Sequence, residues 1–112
     1  MIGISTHVLD TARGMPARGV RVVAERKSVG GVFVPCGEGI TDSNGRIAQL
    51  LPNGEPLEAG VYRLTYFTDD YFEGQEYLYP EVIVHFLVRD PSTHYHIPLL
   101  LSPYGYTTYR GS

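Results

Sequence analysis

Turn-forming segments recur along this chain about every eight to twelve residues, and this spacing constrains the fold more than any other feature. The segments are rich in glycine, proline, asparagine and aspartate, and they separate short runs of β-branched and aromatic residues. Such runs favour strands over helices, and many of them in succession are typical of an all-β sandwich. We predict eight strands, over residues 3–9, 19–26, 31–36, 46–49, 60–67, 81–89, 94–101 and 104–110.

One segment, TDDYFEGQ, departs from this pattern. It opens with Thr68, which is followed by two acidic residues. Threonine is a favourable N-cap, and acidic side chains are stabilising beside the positive end of the helix dipole. We therefore predict one short helix in this segment, with Thr68 as its N-cap.

Length, charge and cysteine content limit the possible functions. The 112 residues suit a single domain over 1–112, and no apolar run is long enough to span a membrane. The net charge of −3 argues against nucleic acid or an anionic membrane as a partner, since both usually require a basic surface. The lone Cys36 cannot form an internal disulfide, and MIGISTHVLD lacks the features of a signal peptide. We expect a cytoplasmic protein without nucleic-acid or membrane partners.

The alternation of apolar and polar residues indicates which side chains of the predicted strands face the core. The first strand has Ser5 and His7 on its outward face, and the strand around residue 97 has His94 and His96 on its own outward face. Two separate strands therefore present histidines away from the core. The predicted inward residues are Ile2, Ile4, Thr6 and Val8; Val82, Val84, Phe86 and Val88; and Tyr95, Ile97, Leu99 and Leu101.

The strand over residues 81–89 is apolar on both faces. Ile83 and Leu87 lie on its outward face, where a water-exposed sheet normally carries polar residues. An exposed apolar face of this kind marks an interaction surface, and soluble oligomers are mostly closed and symmetric. The pattern thus predicts an oligomer with two-fold symmetry.

Several longer stretches resemble one known family, the transthyretin-like 5-hydroxyisourate hydrolases. They are STHVLDTARGMPARGV near the start, NGRI in the middle, YFEGQEYLYPEVIVHF further on and HYHIPLLLSPYGYTTYRGS at the end. The final YRGS distinguishes these hydrolases from true transthyretins, which are thyroid-hormone carriers with the same fold. The resemblance extends over the whole chain.

The resemblance implies a transthyretin-like sandwich of two four-stranded sheets with one short helix. It also implies a homotetramer, formed as a dimer of dimers, with active sites at the dimer–dimer interface. The implied reaction hydrolyses 5-hydroxyisourate to 2-oxo-4-hydroxy-4-carboxy-5-ureidoimidazoline in urate degradation, without a cofactor. The main alternative is a non-catalytic transthyretin-like carrier of a small ligand, and a plain structural sandwich is a third.

The same resemblance implies the residues of the site. Seven positions match the family: the catalytic His7, Arg46 and His96, and the substrate-binding Tyr109, Arg110, Gly111 and Ser112. A histidine can take a proton from water at neutral pH, although the sequence does not tell which of the two is the base. A guanidinium can hold a carbonyl-rich ring or the oxyanion formed on attack, which suits Arg46.

The residue patterns do not favour a metal site or covalent catalysis by a serine or cysteine nucleophile. His94 and His96 could form half of a metal site, but no cysteine or carboxylate partner accompanies them, so we expect no metal. No serine or cysteine nucleophile motif is present, and Cys36 has no base close to it in sequence. Direct attack by water is therefore the simplest mechanism.

Overall fold

The computed structural model describes residues 2–112, which form nine strands and one short helix. All eight predicted strands have a counterpart, and one two-residue strand, β2, was not predicted. The elements are β1 (Ile4–Asp10), β2 (Met15–Pro16), β3 (Arg21–Lys27), β4 (Phe33–Ile40), β5 (Arg46–Ile47), β6 (Gly60–Tyr66), α1 (Thr68–Tyr71), β7 (Val82–Val88), β8 (Tyr95–Ser102) and β9 (Gly105–Thr108).

The strands form two sheets, which confirms the predicted all-β sandwich. The first sheet has the order β2-β1-β8-β9, and the second has the order β4-β3-β6-β7. β5 also pairs with β1, beside β2 on the edge that β8 leaves free. The first sheet consequently has five strands rather than the expected four. Its β1 and β8 run parallel, whereas all the other strand pairs are antiparallel.

The predicted inward residues form the core between the sheets, except for Ile2 and for Phe86, which is half-buried against the core. Ile2 precedes β1 and is 52% exposed, so its predicted burial is wrong. A hydrogen-bonded link crosses the core: the Tyr66 hydroxyl donates to Thr6 Oγ1 over 2.8 Å, and the Thr6 hydroxyl donates to the Ile97 carbonyl over 2.6 Å. This link satisfies the buried hydroxyls and ties β1 to both sheets.

The helix lies where it was predicted, but Thr68 is not its N-cap. Phe67 occupies that position without a side-chain cap, and Thr68 is the first helical residue. The Thr68 hydroxyl donates instead to the Tyr79 carbonyl over 2.7 Å, because the loop after the helix passes beside it. Among residues 2–112, no helix is long and apolar enough to cross a membrane.

Candidate active site

The outer face of the first sheet brings together three of the predicted site residues. Register places His7 of β1 opposite Arg46 of β5, and Ser5 of β1 opposite His96 of β8. Beside them is a cavity of about 330 Å³, which we call the histidine cavity. It is lined by Ser5, Thr6, Asp42, Arg46, Ile47, Ala48, His94, His96 and Ser112.

A tight turn positions Arg46 at the start of β5. Asp42 Oδ1 accepts the backbone N–H groups of Asn44 and Arg46, each over 2.9 Å. Gly45 has a φ of +75°, and a Cβ there would lie 2.4 Å from the Val8 carbonyl oxygen, so the turn requires glycine. The two backbone donors lower the pKa of Asp42, which therefore remains a carboxylate at the edge of the cavity.

His96 is held from two sides. Its Nδ1 lies 2.8 Å from Ser5 Oγ, and its backbone carbonyl accepts the N–H of Gly111 over 2.8 Å. Burial, and then the positive charge of the Arg46 guanidinium, lower the pKa of His96 below its ordinary value of 6.5. The imidazole is therefore neutral at neutral pH.

The C-terminal segment packs directly against His96. After β9, Gly111 forms an isolated bridge with His96, and Ser112 lines the histidine cavity. A Cβ at Gly111 would lie 2.6 Å from His96 Cδ2 and 2.9 Å from Pro98 Cγ. Glycine is thus required for this close approach.

Tyr109 and Arg110 lie apart from the histidine cavity within one chain. They line a second cavity, of about 250 Å³, between β7 and the end of β9. The Arg110 guanidinium stacks 4.1 Å over the Tyr95 ring, and its Nη2 donates to the His94 carbonyl over 3.3 Å. The role of Tyr109 and Arg110 in substrate binding stays a prediction.

The histidine cavity also contains residues for which the sequence pattern predicted no role. Ser5 was placed outward by alternation, but nothing local indicated that its hydroxyl would lie between His94 Nε2 and His96 Nδ1, at 2.8 Å from each. Asp42 had no sequence signal as a cavity residue. Within residues 2–112, no group of three or more His, Cys, Asp or Glu side chains is placed to hold a metal ion.

The positive charge of Arg46 near His96 gives a prediction for the titration of His96. We expect the NMR midpoint of His96 to lie below 6.5 and to rise in Arg46→Met, since removing a nearby cation favours the imidazolium form. The measurement is a pH titration of the imidazole ¹⁵N signals, with Arg18→Met on an exposed loop as the control. A wild-type midpoint above 6.5, or no rise specific to Arg46→Met, contradicts this account.

The combination of groups suits hydrolysis of a carbonyl compound. Two imidazoles can exchange protons near neutral pH, and a guanidinium can stabilise negative charge on oxygen. Cys36 lies in the other sheet, where burial raises the pKa of its thiol to about 11, so it is unsuited to act as a nucleophile.

Comparison with known proteins agrees with this chemistry. Residues 4–111 match the model of the HIUase/Transthyretin family. A curated relative from Deinococcus radiodurans, 5-hydroxyisourate hydrolase, is 46% identical over 98% of this chain and 96% of its own length. The structure of Klebsiella pneumoniae 5-hydroxyisourate hydrolase is similar with a TM-score of 0.82 and 37% identity, covering 100% of this chain and 94% of that one. The structure of transthyretin from Sparus aurata is similar with a TM-score of 0.89 and 31% identity, covering 99% of this chain and 97% of that one.

Proposed function

The chain belongs to the HIUase/Transthyretin family, and we propose that it is a 5-hydroxyisourate hydrolase whose reaction takes place in the histidine cavity. The observation that carries this proposal is that Arg46, His96 and Ser112 line this cavity. His7 is not among the lining residues, but it lies opposite Arg46 in the pairing of β1 with β5, next to the cavity. Relatives named for this activity match almost the whole chain, which supports our proposal of a single hydrolase domain over residues 1–112.

The reaction follows from the groups that the product carries. The implied product has a carboxyl and a ureido group, so the cleaved bond joins a ring carbonyl carbon to a nitrogen. Water adds to that carbon while a histidine takes one of its protons, and Arg46 stabilises the negative charge that develops on the carbonyl oxygen. The C–N bond then breaks, and the histidine returns the proton to the leaving nitrogen. No covalent enzyme intermediate is needed.

The C-terminal residues and the assembly complete this proposal. Ser112 lines the cavity and Gly111 packs against His96. Tyr109 and Arg110 contribute to substrate binding in a cytoplasmic homotetramer with sites between its dimers. Two observations support an assembly. Within residues 2–112 the outer edges of β7 and β9 are unpaired in the sheets, and Ile83 and Leu87 are 43% and 45% exposed. Light scattering that gives the mass of a single chain at micromolar concentration contradicts the tetramer.

The experiment that tests the function follows the decay of freshly generated 5-hydroxyisourate by ultraviolet absorbance. Urate and urate oxidase supply the substrate, and decay is recorded with and without the purified protein. We expect decay that accelerates in proportion to protein concentration. Decay at the spontaneous rate at every protein concentration would reject the hydrolase.

Arg46 gives a separate prediction for this assay. Replacing it by methionine keeps much of the side chain's length but removes the charge-assisted hydrogen bonds to the substrate oxygen. We expect kcat/KM to fall about tenfold or more, the effect of losing one such bond. The exposed Arg18→Met serves as the control, and equal rates for both variants would exclude Arg46 from the reaction.

The fold is also compatible with a non-catalytic carrier of a small ligand, because a transthyretin is among the similar structures. A carrier binds its ligand without turnover, so it needs no proton-transfer groups. The histidine cavity contains two imidazoles and a guanidinium, and this polar lining favours hydrolysis. Saturable ligand binding measured by calorimetry, together with no effect on 5-hydroxyisourate decay, would favour the carrier.

A further inference from the structure

Three polar side chains form a continuous hydrogen-bonded chain at the wall of the histidine cavity. Ser5 Oγ lies 2.8 Å from His94 Nε2 and 2.8 Å from His96 Nδ1. The contacts follow from topology, because Ser5 is opposite His96 in the parallel pairing of β1 and β8, and His94 is two residues before His96 on the same face. A hydroxyl has one proton, so Ser5 donates to one imidazole and accepts from the other. The protonation sites of the two rings are therefore coupled.

A buried nitrogen of His94 indicates which group donates and which accepts in each hydrogen bond between His94, Ser5 and His96. Among residues 2–112, His94 Nδ1 is the buried side-chain nitrogen or oxygen without a hydrogen-bond partner. A buried N–H without an acceptor is rarer in proteins than an unused acceptor. The neutral His94 thus carries its proton on Nε2 and donates it to Ser5. The Ser5 hydroxyl then donates to His96 Nδ1, which leaves the proton of His96 on Nε2.

Burial supports this reading, because it is the main factor that lowers the pKa of both His94 and His96. Both rings are therefore neutral at neutral pH, and the question of which nitrogen carries the proton applies to each. Were either ring an imidazolium, both its nitrogens would be donors, and Ser5 would have to accept from that ring.

We propose that Ser5 and His94 are positioning residues that hold His96 as its Nε2–H tautomer, so that His96 donates a hydrogen bond to the substrate oxygen while His7 takes the proton from water. The inference rests on the proposed function and assigns different roles to His7 and His96. His7 accepts one proton from the attacking water and returns it to the leaving nitrogen. His96 keeps its proton and stabilises the oxyanion together with Arg46, so the protons balance.

The test combines a spectroscopic readout with kinetics. In ¹⁵N-labelled wild-type protein, we expect the imidazole signals of His96 to show a protonated Nε2 and a hydrogen-bonded, unprotonated Nδ1. Ser5→Ala removes the donor to Nδ1, and His94→Leu removes the group that orients it. We expect either change to move the Nδ1 signal toward that of an unbonded imidazole and to lower kcat about tenfold, with KM changed by less than about twofold.

Conservative variants of Ser5 and His94 distinguish a positioning role from a general disturbance of the protein structure. Ser5→Thr keeps the hydroxyl, and His94→Gln keeps an N–H that can donate to it, so both should retain the wild-type His96 signals and most of kcat. Should Ser5→Ala fail to fold, His94→Leu still tests the proposal, and the wild-type spectrum does so without any variant.

Three outcomes overturn the proposal: a wild-type His96 protonated on Nδ1, unchanged kcat and His96 signals in both Ser5→Ala and His94→Leu, or a change in KM alone. Failure of the proposed function is distinguishable from these. In that case the wild-type protein leaves 5-hydroxyisourate decay unaffected, whereas the His96 spectrum, which needs no substrate, still reports the tautomer.

Discussion

Replacing either His7 or His96 by alanine is expected to lower kcat/KM for 5-hydroxyisourate by about a hundredfold or more. The reasons differ between the two residues. In the proposed mechanism, loss of His7 removes the base that takes a proton from water, and loss of His96 removes a donor that stabilises the oxyanion. Both effects are measured by the absorbance assay on variants whose folding is checked by circular dichroism.

Arg18 provides the control for these two variants. It is exposed on the loop between β2 and β3, and it lines neither the histidine cavity nor the second cavity. Arg18→Ala should keep kcat/KM within about threefold of wild type, as for most exposed substitutions. Near-normal turnover in both His7→Ala and His96→Ala would exclude the histidines from catalysis.

Gly111→Ala is expected to have an effect of similar size, although it removes no functional group. The new methyl group would lie 2.6 Å from His96 Cδ2 and 2.9 Å from Pro98 Cγ, so the His96 ring or the C-terminal segment must move. Displacement of a catalytic group by about 1 Å can cost about a hundredfold in rate, and we expect kcat/KM to fall by that order. The assay and the His96 NMR signals together detect the change.

Gly105 allows a control close by in sequence. It begins β9, and a Cβ there would have Ser102 Oγ as its nearest contact, at 3.8 Å. Gly105→Ala should therefore leave kcat/KM within about threefold of wild type. If Gly111→Ala were equally well tolerated, the C-terminal segment would have to be loose enough to accommodate a side chain, contrary to the packing described for His96.

Much of the fold could be predicted because strand geometry is local. Alternation along β1 and β8 depends only on successive side chains pointing to opposite faces, so the outward positions of His7 and His96 could be inferred without knowing their neighbours. The sandwich, the family and the hydrolase function were also predicted, and the fold and relatives confirm them. The roles of the individual site residues stay predictions.

Errors arose where tertiary contacts override local signals. Threonine is a favourable N-cap residue, but the Thr68 hydroxyl donates its hydrogen bond to the Tyr79 carbonyl instead. The two residues of β2 are too few to form a recognisable pattern, and they form a strand because the end of β1 lies beside them.

The strand runs, the outward faces and the available chemical groups could be predicted, because these depend on composition and on neighbours along the chain. Which of these groups come into contact depends instead on the packing of distant strands. The parallel pairing of β1 with β8 places Ser5 against His96, 91 residues away, and the pairing of β5 with β1 places Arg46 beside His7. Nothing in the local pattern could specify these contacts, because the register between distant strands is set by the packing of the whole sandwich.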